Sequence, residues 1–415
     1  MGVRRKHLLA KLLAASVLAT IVGALGPPAA AGSLNGPQRD VLVVSNNWAG
    51  TADLVDPRTF RRLARINVIP DLEERLAEFD AIPGRRTVFN IIAQLVGEGH
   101  DQFVDDGFTS RDGRFVYFSR PSLADVVAID LRTREIAWRV PVAGFRADHM
   151  ALSPDGRRLL VSASTANVVH VIDTERGEIV GEFPSGDQPH ENNYSLDGRL
   201  IYHGSIGPVF TDTDDPSQDA TKGERVFEIV DANTLEVKRR FDIGRELATY
   251  GVGASAAVRP MAITPDERFV YMQLSFLHGF VEFDLRGERP TRMVLLPLSE
   301  EAKTLTRQDY LLDSAHHGLA FNTKGTKLCA AGTMSGYAAI VSRRNLALKR
   351  IIPVGDVPYW STSSEDGRYC FVSVAGEDQV SVISFKTARE VARIDVGDHP
   401  QRMRTGTVRS DLVGR

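Results

Sequence analysis

Residues 152–156 read Leu-Ser-Pro-Asp-Gly, and variants of this segment recur along most of the chain. Each full copy has an apolar or small residue, Ser or Thr, any residue, Asp and Gly, followed by a short apolar run. The six copies begin at Phe108, Leu152, Tyr194, Ile263, Phe321 and Ser363. Gly113, Gly156 and Gly198 lie 43 and 42 residues apart, and Gly325 and Gly367 lie 42 apart. A period of about 40 residues with several short strands is typical of β-propeller blades.

Each repeat is predicted to contain four strands. In the second copy these are His149–Leu152, Arg158–Ser162, Val168–Asp173 and Ile179–Phe183. The segments are short and rich in β-branched residues, and no helical period fits them. The Asp-Gly pair favours a tight turn between the first two strands, because Gly tolerates a positive φ.

A seventh blade is divided between the two ends of the chain. Val41–Asn46, Thr51–Asp56 and Leu63–Ile69 supply three strands without an innermost one, and Val396–Met403 supplies an innermost strand alone. Joining them closes the ring and removes its exposed edges. We therefore predict an all-β fold, a seven-bladed β-propeller closed by a blade shared between the N- and C-terminal segments.

Two stretches, Asp148–Gly186 and Val354–Gly397, resemble the YVTN-type β-propeller repeat. The resemblance extends over most of the chain and implies the propeller fold. It leaves the function open, since such repeats occur in surface-layer proteins, secreted binding proteins and the propeller domains of haem and quinone oxidoreductases. The chain has no Cys-x-x-Cys-His motif, which argues against a covalently attached haem.

The N-terminus has the pattern of a secretory signal. Arg4, Arg5 and Lys6 precede the apolar run 8–25, and Ala29–Ala31 offers a cleavage site. We expect residues 1–31 to be a signal peptide and 32–415 to be one propeller domain, secreted or associated with the cell envelope. The alternative is an uncleaved membrane anchor. After cleavage no remaining segment is apolar enough to span a membrane.

The composition limits the classes of partner that the protein is expected to bind. The chain has 415 residues, of which 43% are hydrophobic and 25% charged, and a formal net charge of -3. These values are ordinary for a globular protein and indicate neither a nucleic-acid binder nor a polybasic membrane anchor. We expect a monomer with a small-molecule ligand.

Insertions near 70–100, 206–225 and 299–315 interrupt the repeat. We expect helices over Asp71–Phe79 and Ser299–Ser314. The acidic segment Ile206–Glu224, with Asp212, Asp214, Asp215 and Asp219, is interpreted as solvated surface, because it lacks the Gly of a calcium loop. Long insertions on a propeller often carry function.

The two cysteines, Cys329 and Cys370, fall on the second strands of adjacent blades, four and three residues after the turn glycine. This offset directs them to opposite faces of their sheets, and adjacent blades stack face to back. The sequence leaves two alternatives open, a disulfide and two buried thiols.

Polar residues concentrate where the innermost strands begin, around one mouth of the central channel. Eight residues before the turn position lie Asp105, Asp148, His190, Arg259, His317 and Tyr359. Seven before it lie Asp106, His149, Glu191, Pro260, Gly318 and Trp360. Gln401 and Arg402 correspond in the divided blade. A purely structural channel would more simply carry small or apolar side chains.

Six of the ten histidines of the chain lie in these strand-entry segments, and His7 lies in the predicted signal peptide. Those in these segments are His100, His149, His190, His316, His317 and His399. Because neutral imidazole is the commonest transition-metal ligand, we predict that His149, His190 and His317 bind copper, iron or zinc. Glu191 would be a ligand or base, and Glu191, Arg259 and Tyr359 are the candidate catalytic residues. The other predicted mouth residues are Asp105, Asp148, His100, His316, Trp360, His399 and Arg402.

Other interpretations of these residues remain open. Each imidazole could simply hydrogen-bond between blades, and Arg259 could pair with Glu191 or Asp148, or hold an anionic substrate. We favour an exported metal-dependent oxidoreductase or lyase. The alternative is a non-catalytic ligand-binding or cell-envelope interaction scaffold.

Overall fold

A computed structural model describes residues 36–97, 99–210 and 213–414. The predicted signal peptide and Asp212 lie outside these residues. The first three strands are β1 (Gln38–Asn46), β2 (Thr51–Val55) and β3 (Arg62–Asn67). They form the outer part of one blade, called here blade 7.

Blades 1 to 6 follow in chain order, and each is a four-stranded antiparallel sheet whose first strand is innermost. Blade 1 contains β4 (Gly107–Thr109), β5 (Phe115–Arg120), β6 (Asp125–Asp130) and β7 (Ile136–Pro141). Blade 2 contains β8 (Ala147–Leu152), β9 (Arg158–Ala163), β10 (Val168–Asp173) and β11 (Glu178–Pro184). Blade 3 contains β12 (Pro189–Tyr194), β13 (Leu200–Ser205), β14 (Phe227–Asp231) and β15 (Val237–Phe241).

The second half of the ring has the same plan. Blade 4 contains β16 (Val258–Ile263), β17 (Phe269–Leu274), β18 (Gly279–Asp284) and β19 (Arg289–Leu295). Blade 5 contains β20 (Leu319–Phe321), β21 (Lys327–Gly332), β22 (Tyr337–Ser342) and β23 (Leu348–Pro353). Blade 6 contains β24 (Pro358–Ser363), β25 (Tyr369–Val374), β26 (Gln379–Ser384) and β27 (Arg389–Asp395).

The last strand, β28 (Pro400–Arg409), closes the ring. It pairs antiparallel with β1, from Gln38 opposite Arg409 to Asn46 opposite Pro400. Blade 7 therefore has the order β28-β1-β2-β3, with its innermost strand taken from the end of the chain. The prediction of a seven-bladed propeller with a divided blade is confirmed.

The recurring Ser/Thr-x-Asp-Gly segment forms the turn between the two innermost strands of a blade. In blade 2 the Ser153 hydroxyl donates to Asp155 at 2.6 Å and accepts from the backbone N–H of Arg158 at 2.9 Å. Gly156 has φ +72°, a conformation that costs Gly little. The motif is therefore a requirement of the turn, and the functional residues of the blades must lie elsewhere.

Apolar side chains pack between neighbouring blades and form the core. One cluster joins Cys329 and Ile340 of blade 5 to Cys370 and Val372 of blade 6, and all four side chains are buried. Cys329 and Cys370 form a disulfide, with Cα atoms 6.5 Å apart. This decides between the two alternatives that the sequence left open.

Every insertion lies on one face of the ring. In an antiparallel blade that starts at its innermost strand, the connections from strand two to strand three and from one blade to the next fall on the face where innermost strands begin. The segments between β3 and β4, between β13 and β14, and between β19 and β20 are all such connections. We call this face the channel mouth. None of the helices in the described residues is long and apolar enough to cross a bilayer.

The helix predictions for the insertions are partly right. Helix α1 (Leu72–Ala81) matches the helix expected over 71–79, but a further helix, α2 (Arg85–Leu95), was not predicted. The two helices contact each other through Phe79 and Phe89, whose ring centroids are 5.6 Å apart. Helix α2 begins after Gly84 without a side-chain cap, so the sequence carried no start signal. A short helix α3 (Ile243–Ala248) precedes blade 4.

One other expectation is wrong, and one is right only in part. Ser299–Ser314 forms only short 3₁₀ turns, which are separated by the extended residues Leu305 and Tyr310 and end at the left-handed Leu312 and Asp313. The 206–224 segment is not simply solvated, since Asp214 and Lys222 are both buried. Lys222 bridges Asp214 and Asp313, so this network ties two insertions together.

Replacing both cysteines by Ala should lower the free energy of unfolding by about 2–4 kcal/mol, since a cross-link over some 40 residues restricts the unfolded chain. Denaturant unfolding of the double variant and of wild type measures this. Reduced wild type is the control that separates loss of the cross-link from loss of side-chain volume. Two titratable thiols in denatured, unreduced protein would contradict the disulfide.

Candidate metal centre at the channel mouth

Side chains from blades on opposite sides of the ring meet at the channel mouth. His149 of blade 2 and His317 of blade 5 have ring centroids 6.2 Å apart. Arg402 of blade 7 lies 3.3 Å from the Glu191 carboxylate of blade 3. Contacts between non-adjacent blades require that the starts of the innermost strands face one axis, as the spacing before the turn glycines predicted.

Three imidazoles form the centre of this cluster. His190 lies between the other two, with ring centroids 3.7 Å from His149 and 5.7 Å from His317. One nitrogen from each ring can be chosen so that all three lie within 4.8 Å of one another. The rings are buried, and they come from three separate blades. Three converging nitrogens at this spacing can bind one metal ion.

Several imidazole nitrogens in this cluster have no hydrogen-bond partner among the described residues. They are Nδ1 of His190 and both ring nitrogens of His317. Buried polar atoms are normally paired, and an unpaired one is costly. Bound metal would satisfy one nitrogen on each of these two residues.

The three imidazoles are neutral. Burial holds the pKa of His149, His190 and His317 well below the usual 6.5, and the positive charge of Arg402 lowers each further. Arg259 also lowers the pKa of His190 and His317. A neutral imidazole has a lone pair for a metal, so this electrostatic environment favours ligation.

His149 is oriented by carboxylates. Its Nδ1 lies 3.1 Å from Glu191 Oε2, and its Nε2 lies 3.3 Å from Asp148 and 3.6 Å from Asp105. Asp105, Asp148 and His149 also form a group with one ligand atom each within 4.8 Å. His149 thus belongs to two overlapping candidate sets, one of three imidazoles and one with two carboxylates.

Arg402 neutralises part of this negative charge. Its guanidinium lies 3.2 Å from Asp105 and 3.3 Å from Glu191, and stacks 4.0 Å above the Trp360 ring. It also contacts both ring nitrogens of His149. This fully buried cation makes the innermost strand of blade 7 part of the site.

The buried carboxyl groups hold protons more readily than usual. Burial raises the pKa of Asp105 to about 7, with Asp148 and Asp106 contributing repulsion. Burial also raises the pKa of Asp148 and Glu191. Asp105 can therefore exchange a proton near neutral pH, as general acid–base catalysis requires.

Asn192 fixes the backbone that carries two of the histidines. Its side-chain amide donates to the carbonyl of His149 at 3.2 Å and to Ser162 Oγ at 2.8 Å, while Ser162 donates to the carbonyl of His190 at 3.0 Å. The repeat spacing did not point to Asn192. At the same repeat position other blades carry Met150, Met261 or another small or apolar residue, so the amide at this position could have identified Asn192 from the sequence.

A similar bridge supports His317. The Gln273 side chain both donates to the carbonyl of Gly318 at 3.0 Å and accepts from its N–H at 2.8 Å. The loop before β20 is therefore fixed to blade 4 immediately beside His317. No spacing rule pointed to Gln273, because it lies on a second strand.

Tyr359 and Trp360 form one wall of the cluster. The Tyr359 ring lies 4.1 Å from that of His317 at 31°, and Trp360 lies 6.3 Å from His317. The Trp360 indole N–H donates to the Met403 carbonyl at 3.0 Å, which fixes the ring under Arg402. Both aromatic residues thus lie at the predicted mouth.

Three predicted mouth residues do not join the cluster. His100 and His399 stack on opposite sides of Trp48, each with ring centroids 3.7 Å from the indole. Trp48 therefore packs between two imidazoles. His316 contacts Tyr337 and His278 instead, because it is next to His317 in the chain and points the other way.

Arg259 does not pair with Glu191 or Asp148, which the sequence had allowed. Its Nε donates to Ser275 Oγ at 2.9 Å, and Nη2 donates to the carbonyl of Leu312. Burial lowers the pKa of this guanidinium. Arg404 is a further cation that sequence analysis missed, and it is paired with Asp106 at 2.7 Å.

Together, fold and cluster define a seven-bladed β-propeller with a polar, imidazole-rich mouth. A scan against protein-family models finds no match, and a search of curated proteins finds none either. Among solved structures, 1750 chains resemble the fold, which is too many to indicate one activity.

Two of these structures show the extent of the likeness. Hydrazine synthase of Kuenenia stuttgartiensis is 16% identical, with a TM-score of 0.54, over 74% of this chain and 95% of that one. The dihydro-heme d1 dehydrogenase NirN, in complex with DHE, is 13% identical, with a TM-score of 0.53, over 86% of this chain. The match spans 63% of the NirN chain. At these identities the comparisons establish the fold alone.

Acid should destabilise this protein through its buried neutral histidines. Burial lowers the pKa of His203, which lies behind Asn192, to about 3. Between pH 6.5 and 3 the imidazole binds a proton in the unfolded chain but not in the folded one. The free energy of unfolding therefore decreases as the pH is lowered through this window. At pH 5 His203 alone contributes a loss of about 2 kcal/mol relative to pH 8.

Urea unfolding of His203→Gln at pH 8 and pH 5 tests this. The amide has no proton to take up, so the variant should lose about 2 kcal/mol less than wild type between these pH values. His100→Gln, whose ring is exposed, is the matched control. An unchanged pH dependence in His203→Gln would show that His203 is not a buried neutral group.

Proposed function

We propose that this chain is a propeller enzyme that binds one transition-metal ion through His149, His190 and His317 and acts on a small molecule as an oxidoreductase or lyase. The observation that carries the proposal is the convergence of three buried, neutral imidazoles from three blades. Their nitrogens lie within 4.8 Å of one another, and those of His190 and His317 include unpaired atoms.

The donor set suits copper, iron or zinc. Imidazole is a preferred ligand of all three, and three protein ligands leave a coordination position for water or substrate. The Glu191 contact to Nδ1 of His149 is the orienting contact that metal-bound histidines commonly have, and it leaves Nε2 as the ligand atom. A bound ion would supply Lewis-acid or electron-transfer chemistry.

Protons would move through the carboxyl groups around His149. Asp105, with a pKa raised to about 7, can both donate and accept a proton near neutral pH. Glu191 holds His149 in one tautomer and is the candidate base, while Tyr359 borders His317 and would contact a ligand there. These roles use groups that lie within one water-excluding cluster.

The relatives by fold lend only general support. The titles of both solved structures name enzymes, and one names a haem d1 derivative. In this chain the three imidazole rings lie within 6.2 Å of one another, a spacing that favours a single ion over a flat macrocycle between them. The missing Cys-x-x-Cys-His motif argues only against a covalently attached haem.

A specific contact favours the alternative, a non-catalytic binding scaffold. Arg402 lies against both nitrogens of His149, so ligation through that residue requires the guanidinium to shift. A cluster that stays as it stands would be a metal-free, hydrogen-bonding mouth for a small ligand. The same metal measurement distinguishes the two proposals.

Purified protein loaded with Zn²⁺ or Cu²⁺ and then desalted should retain about one ion per chain by elemental analysis. His190→Ala and His317→Ala should each weaken binding by more than the 10- to 100-fold that loss of an outer-shell partner costs. His100→Ala, which removes an imidazole outside the cluster, should bind as wild type does. Wild type without retained metal, or equal retention in all variants, would favour the scaffold.

We also propose that the chain belongs among the YVTN-type propellers and is exported to the cell surface or beyond. The disulfide between Cys329 and Cys370 supports an oxidising compartment. Expression of the full chain in a secreting host, followed by mass analysis of the exported product, should give a protein beginning near Gly32. A product retained with Met1 in the membrane fraction would favour the anchor.

A further inference from the structure

Arg259 differs from the other arginines at the channel mouth. Arg402 contacts Asp105, Arg404 contacts Asp106, and Arg146 lies 3.7 Å from Asp148. Among the described residues, Arg259 has no carboxylate within salt-bridge distance. Its side chain is nevertheless buried at 1% exposure, more deeply than those of Arg146 and Arg404.

The groups that hold Arg259 in place are uncharged. Ser275 Oγ and the Leu312 carbonyl accept hydrogen bonds from its Nε and Nη2. Asp313 and Asp148 act on it only through longer-range electrostatics. A buried guanidinium without a counter-ion is costly, and protein interiors normally place a carboxylate or another anion against it.

We propose that Arg259 binds the carboxylate group of a small anionic substrate at the channel mouth. The inference rests on the proposed function, because Arg259 lies on the innermost strand of blade 4, between the blades that carry His190 and His317, and its charge acts on both imidazoles. The planar guanidinium matches a carboxylate, and the neighbouring imidazoles are neutral and do not compete for it. The anion would supply the missing counter-ion.

A cavity lined by Ser275, the hydrogen-bond partner of Arg259, is the candidate entrance. It has a volume of about 420 Å³ and is lined in part by Ser255, Ser275, Phe276 and Arg307. Ser275 is shared, since it lines the cavity and accepts the hydrogen bond from Arg259. A small carboxylate in this cavity would therefore contact the serine that holds the guanidinium.

That turn is held by the buried charges of two insertions. Leu312 and Asp313 have φ of +47° and +62°, and Asp313 is fixed by Lys222 at 2.8 Å. The Leu312 carbonyl that faces Arg259 thus depends on a strained backbone tied to the 206–225 insertion. An incoming carboxylate would replace this carbonyl as the acceptor for Nη2.

Oxalate serves as the probe, and uncharged oxamide is its shape-matched control. Calorimetric titration of wild-type protein, with and without Zn²⁺, should give saturable binding of oxalate and at least tenfold weaker binding of oxamide. Arg259→Met should weaken oxalate binding at least tenfold, and Arg259→Lys should recover part of it. Arg239→Met removes an exposed arginine and should change nothing.

The outcomes separate this inference from the proposed function. Equal binding of oxalate and oxamide by wild type overturns the inference without any variant, so a misfolded Arg259→Met does not leave it undecided. Oxalate binding that is unchanged in Arg259→Met also overturns it, even where one Zn²⁺ is retained. Arg259-dependent oxalate binding by protein that retains no metal supports the inference while the metal proposal fails.

Discussion

The pairing of β28 with β1 is the interaction on which the rest of the structure depends. It joins residues more than 350 positions apart and turns a row of six blades into a closed ring. An open row would leave two sheet edges exposed and would not bring its first and last blades together. The same strand carries Arg402 and Arg404 into the channel mouth. The strand that closes the ring therefore also completes the cluster at the channel mouth.

The electrostatics of the mouth follow from burying many charges in one place. Carboxylates and guanidinium groups from different blades partly balance each other, and burial raises the pKa of Asp105 and Asp148 and lowers that of His190. In an interior that excludes water, carboxyl groups can keep a proton and imidazoles can stay neutral near neutral pH, and both states are useful for catalysis. Neutral side chains such as Asn192 and Gln273 hold the backbone behind them, so the cluster is rigid without further charge.

The sequence predicted the fold and the ring of polar residues because both depend on a regular period. Counting back from the turn glycine located His149, His190 and His317 on three blades, since each blade repeats the same geometry. Counting residues from the turn glycine does not predict the direction of a side chain, so it could not predict contacts that depend on that direction. Neighbours in the chain such as His316 and His317 point to different surroundings, and His100 and His399 stack on Trp48 instead of facing the axis.

The divided blade also has a consequence for when the chain can fold. Blades 1 to 6 are built from local hairpins, but the ring has no closing partner until β28 has been synthesised. A ribosome-bound chain without β28 therefore remains an incomplete arc, with both edges still available. β28 therefore sets the earliest time at which the compact state can form, because the blades made before it cannot close the ring without it.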